Sequence, residues 1–230
     1  MGKGSLLTAI ALAAVLSAAA VPRKPHQVGL GAAKRVPYSQ AGDPAGAAPG
    51  ETELPVRAVF VDGVLKEWIT GDAHDVTDRS FVARSAVKIN NALPGGKPDQ
   101  WVWQRGSWLV VDRTSGHAAA LHLPGYDPAV SHVSWFRDYA AYCGLTPSGK
   151  SLYAMVAQIG VRRAILRKRL SAYDPGSGPT CGEPEWQLNP VRVTFHPAGN
   201  EAFTFSLVPT APAPGPAAPE AEPKAGAQPQ

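Results

Sequence analysis

The chain has little with which to do covalent chemistry. Its two cysteines form no CxxC pair and have no histidine or asparagine suggestively placed beside them, which argues against a redox or thiol-nucleophile role. The string from Ser85 to Lys88 matches SxxK, but the SDN and KTG elements that penicillin-binding enzymes also need are missing. In a strand, moreover, that Ser and Lys face opposite sides. No paired carboxylates, hydrolase nucleophile or metal set is recognisable. His117 and His122 are five apart, on opposite faces of a strand and about 140° apart on a helix, so they cannot share a metal. Charge is also sparse, at 17% of residues, and the net value of +4 is too mild to imply a nucleic-acid protein.

What is present begins with residues 1–20, which read as a secretory signal peptide. Lys3 supplies a positive start, an apolar run extends from Leu6 to Leu16, and Ala18 and Ala20 frame a peptidase site. No cysteine stands at the cut, so a lipoprotein anchor is excluded. Arg23 and Lys24 follow directly, a basic flank that also suits an uncleaved anchor, the one membrane contact expected. Export to the periplasm or beyond makes Cys143 and Cys181 an expected disulfide. The loop closed, about 38 residues, corresponds to on the order of 4 kcal/mol of chain entropy.

Residues 21–55 are rich in Ala, Gly and Pro and read as a disordered linker; residues 209–230 read as a disordered Pro/Ala-rich tail with polyproline-like character. The span 56–208 reads as one antiparallel β domain. Asp62-Gly63 between two apolar runs is a hairpin signal. Further strands are expected over 81–89, 101–103, 108–111 (with a turn at Arg105-Gly106), 118–123, 130–136, 139–145, 152–159, 162–170, 191–195 and 202–208. The residues from Leu152 to Ile159 also fit a helical stripe, but Gly160 and the β-branched content favour strands. Short strands with frequent turn residues give an all-β class: a small antiparallel sandwich, an open barrel or a propeller-like fragment.

Gly144 to Ser151, GLTPSGKS, satisfies the phosphate-loop pattern GxxxxGK[ST]. Pro147 removes an amide donor from a loop that must wrap phosphates with amides, and too few structured residues follow for a parallel sheet with crossover helices. A type I turn over Thr146-Pro147-Ser148-Gly149 joining two strands accounts for every residue. Leu145 to Tyr153 resembles the "SPDGKxLY" hairpin of bacterial β-propeller repeats, and Val133 to Tyr139 is similar to the strand that enters it. The resemblance spans about twenty residues; no second copy recurs at the repeat spacing, and the core is short of the usual blade number. It implies a hairpin within an exported all-β protein. A nucleotide-binding role remains the remote alternative.

Three groups are candidates for function. Arg162, Arg163, Arg167, Lys168 and Arg169 form the one charge run, read as an anion-binding strand or a solvated edge. Trp101 and Trp103 share one face of a strand and are a candidate sugar-stacking platform against a core reading. Asp72, His74 and Asp78 lie in a polar segment that reads as a loop with Asx caps and is the first place to seek a divalent ion. The function expected is that of a non-enzymatic envelope or secreted interaction domain, partner unspecified and no cofactor required. The alternative is a glycan-binding module using the tryptophans.

Overall fold

The computed structural model describes residues 25–42, 45, 47–93, 95, 98–174 and 181–207. The signal peptide and the tail expected from sequence lie outside the described residues. The fold is all-β and antiparallel, in three sheets, none of which closes into a barrel.

The first sheet is a meander of β3 (Glu53–Val61), β4 (Val64–Thr77), β5 (Ser80–Asn90), β6 (Trp101–Asp112) and β7 (Ala118–Ala120). Asp62 and Gly63 carry φ of 52° and 78°, the two positive values that a type I′ hairpin turn requires. Two short strands, β1 (Val28–Leu30) and β2 (Lys34–Pro37), pair with β3. These strands correct the expected linker over 21–55. Its composition is loop-like, but Val28, Val36 and Tyr38 find partners in β3 and the core beneath it. The sheet coils far enough for Tyr38 to bridge Trp103 on β6, with Ser39 N–H donating to the Trp103 carbonyl at 2.9 Å.

Two further expectations are corrected within this sheet. Arg105-Gly106 is not a turn; β6 runs through it with a bulge opposite Ser85. A Cβ on Gly106 would lie 2.9 Å from Val87 Cγ2 and against Ser85 Oγ, so the glycine serves close approach rather than chain reversal. The segment from Asp72 to Thr77 is likewise no loop. It forms the outer half of β4, which bends at Gly71 and pairs with β5.

The second sheet is β8 (Ser134–Phe136), β9 (Tyr139–Leu145), β10 (Ser151–Gln158) and β11 (Leu166–Ala172), in the order β11-β10-β9-β8. The stretch with helical character thus forms strand β10, as expected, and the strand after it begins at Leu166 rather than Arg162. The third sheet is β12 (Glu185–Leu188), β13 (Val191–Phe195) and β14 (Phe203–Ser206). Both faces of β9 and β10 are buried. One face packs Ala141, Cys143, Ala154 and Val156 against Val193 and Phe195 of the third sheet. The other packs Tyr142, Met155 and Ala157 with Leu123 and Trp108, towards the first sheet. The Cys143–Cys181 disulfide lies in the former layer and ties β9 to the segment preceding β12. Such a bond fits an oxidising compartment.

Candidate functional site: a cationic cleft on the second sheet

The site grows out of the β9–β10 hairpin. Gly149 N–H donates to the Thr146 carbonyl at 2.8 Å, Gly149 takes φ of 68°, and Ser151 opens a strand. This is a type I turn followed by a left-handed glycine, set in a four-residue hairpin loop (147–150) closed by the Thr146 N–H donating to the Ser151 carbonyl at 3.1 Å. Phosphate-loop chemistry needs a helix N-terminus behind the loop; here a strand stands in its place.

Above the hairpin sits the loop from Pro124 to Asp127, fixed by several contacts. Leu145 N–H donates to the Gly125 carbonyl at 2.8 Å, and the buried Tyr142 hydroxyl donates to the Pro124 carbonyl at 2.6 Å. Ser131 Oγ donates to the Cys143 carbonyl at 2.6 Å while accepting from the Asp127 amide at 2.9 Å. Burial pushes the Tyr142 phenol well above its ordinary pKa, so it remains a donor.

The third wall is the β10–β11 connection. It brings Arg162 and Arg163 to the rim, and Arg167 on β11 completes it. Arg167 pairs in register with Met155 and lays its guanidinium over the Tyr153 ring at 4.5 Å. The enclosed space is an open cleft of about 770 Å³ with an apolar base that includes Leu145, Pro147 and Met155. Among its lining residues are three guanidinium groups and one carboxylate, Asp127, which already accepts the Ala129 amide at 2.8 Å. Among the described residues the three arginines make no ion pair. A cleft whose lining carries three guanidinium groups to one carboxylate, with an apolar floor, attracts anions and can accept an apolar body beneath the charged group.

The charge run is therefore divided. Arg162, Arg163 and Arg167 converge on the cleft, and Arg169 shares the β11 face of Arg167 through its pairing with Tyr153. Lys168 turns to the opposite face, its ammonium 3.7 Å from the Phe203 ring centroid. The tryptophan pair is divided as well. Trp101 is 49% exposed with the Lys88 ammonium 4.9 Å over its ring, whereas Trp103 is 8% exposed and packs edge-on to Trp68. They share strand parity but no open platform.

His74 donates from Nε2 to the Arg137 carbonyl at 2.8 Å and stacks on Trp135, while Asp75 pairs with Arg113 at 2.6 Å. Among the described residues no three His, Cys, Asp or Glu side chains come together to hold a metal ion. Ser85 is buried and donates to the Ser107 carbonyl at 3.0 Å. The walls supplied by Tyr126, Asp127 and Thr146 were missed by sequence reasoning. The Pro-Gly-Tyr-Asp-Pro string marks a loop but carries no sign of what it covers. Comparison with family models, with curated proteins and with solved structures returns no match.

Proposed function

We propose that this chain is an exported, non-enzymatic binding domain of the cell envelope or its surroundings, whose ligand site is the cleft of Arg162, Arg163 and Arg167. The observation that carries this reading is the convergence of three guanidinium groups, without ion-pair partners among the described residues, on one open cleft. Guanidinium forks match phosphate and carboxylate oxygens in pairs, so the ligand class is an anionic group borne on a larger body. The Cys143–Cys181 disulfide supports export, since such bonds persist in oxidising compartments. Glycan stacking at Trp101 and Trp103 has less support, because Trp103 is packed in the core and Lys88 covers a face of Trp101.

Equilibrium binding of glycerophosphate to the wild type and to Arg163→Glu tests the reading. Saturable, salt-sensitive binding that the variant loses supports it. Equal binding by both proteins, or none by either, removes the cleft as the site.

A further inference from the structure

The connection between β10 and β11 places two cationic side chains between two apolar ones at the surface. Val161 and Ile165 are 45% and 44% exposed, and they bracket Arg162 and Arg163. Single exposed aliphatics are ordinary on a soluble protein. Two β-branched residues flanking two guanidinium groups that make no ion pair among the described residues, beside a cationic cleft, make a local amphiphile. A dissolved anion would gain nothing from Val161 and Ile165.

We infer that the anion reaching this cleft is carried by a membrane. The 159–165 segment is a docking element for an anionic bilayer surface, and this rests on the cleft reading above. Val161 and Ile165 enter the headgroup layer while Arg162, Arg163 and Arg167 take phosphodiester oxygens. Charge complementarity identifies the occupant: Arg169 adds a further exposed cation on the face that Arg167 shares. Two short aliphatic side chains give only weak insertion, so attachment needs both signals, apolar contact and the anionic surface. This contact is separate from the leader, which the sequence alone suggests as a membrane attachment.

Co-sedimentation of the full chain with phosphatidylglycerol–phosphatidylcholine vesicles tests the inference; pure phosphatidylcholine vesicles report the apolar contribution of the leader, and the variants, which keep Lys3, Arg23 and Lys24, report its electrostatic one. The variants are Val161→Ser/Ile165→Ser and Arg163→Gln, each verified folded by its near-ultraviolet dichroism. The wild type should bind the anionic vesicles in excess over the neutral ones. Arg163→Gln should lower that excess about five-fold, the effect of one cation near an anionic surface. The double serine variant should lose most of the excess yet keep its affinity for soluble glycerophosphate. The inference is overturned if the serine variant sediments like wild type, or if wild type binds glycerophosphate but shows no excess on anionic vesicles; the cleft reading survives both. Absence of binding to vesicles and to glycerophosphate alike overturns both readings.

Discussion

Gly144 on β9 and Gly125 in the loop above it touch backbone to backbone: a Cβ on Gly144 would lie 2.5 Å from the Gly125 carbonyl oxygen and 3.1 Å from Met155 Sδ. The first glycine of the phosphate-loop string is thus required by packing, and the second, Gly149, by its positive φ. Replacing Gly144 by alanine must push the 124–127 loop away from β9 and open the wall of the cleft. Gly144→Ala should cost about 1–3 kcal/mol in urea unfolding and weaken glycerophosphate binding although no arginine is altered. Unchanged stability would mean that the loop is not seated on β9 as described.

The disulfide between Cys143 and Cys181 closes a 38-residue separation and joins the second sheet to the segment entering the third. Reduction, or the paired substitution Cys143→Ala/Cys181→Ala, should lower stability by about 4 kcal/mol, mainly by releasing the unfolded chain. Urea titrations with and without reductant measure this directly. A reduced protein as stable as the oxidised one would contradict it.

Tyr142 gives the fold an alkaline limit. Burial raises its folded pKa above the unfolded value, so its contribution is complete below the ordinary tyrosine pKa of about 10 and is lost as pH rises beyond it. Tyr142→Phe forfeits the hydrogen bond to Pro124 and should be about 1 kcal/mol less stable near neutrality. Above pH of about 10 its stability should fall less steeply than that of the wild type, and the two curves should converge. Parallel curves across that range would show that Tyr142 ionises freely in the folded protein.

The two tryptophans at the start of β6 should respond very differently to truncation. Trp103 packs with Tyr38, Leu54 and Val56, so Trp103→Ala should cost about 3–5 kcal/mol. Trp101 is exposed, and Trp101→Ala should change stability by less than about 0.5 kcal/mol. Equal effects in chemical denaturation would put both indoles in one environment, contrary to the structure.

Local chemistry was readable wherever a short signal sufficed. Asp62-Gly63 announces its hairpin, and the spans Tyr139–Leu145 and Val191–Phe195 coincide with β9 and β13 because apolar runs there end at turn residues. What escaped depends on distant partners. β1 and β2 have loop-like composition and exist because β3 offers them a ladder. Gly106 reads as a turn residue until Ser85 is seen against it. Asp72 and His74 look like loop residues but lie in a strand because β5 pairs with that half of β4. The arginines of the cleft were visible as a charge run, while its other walls come from residues 124–127 and 145–147, whose closeness no local pattern reveals.

The central claim is that anions bind at Arg162, Arg163 and Arg167. It is tested most directly by a nuclear magnetic resonance titration of the folded protein with glycerophosphate, following arginine Nε–H and backbone amide signals. The account predicts saturable shifts confined to those three side chains and to the amides of Gly125, Tyr126, Asp127 and Thr146. Shifts spread evenly over all surface cations, or centred on Lys88 and Trp101, would contradict it.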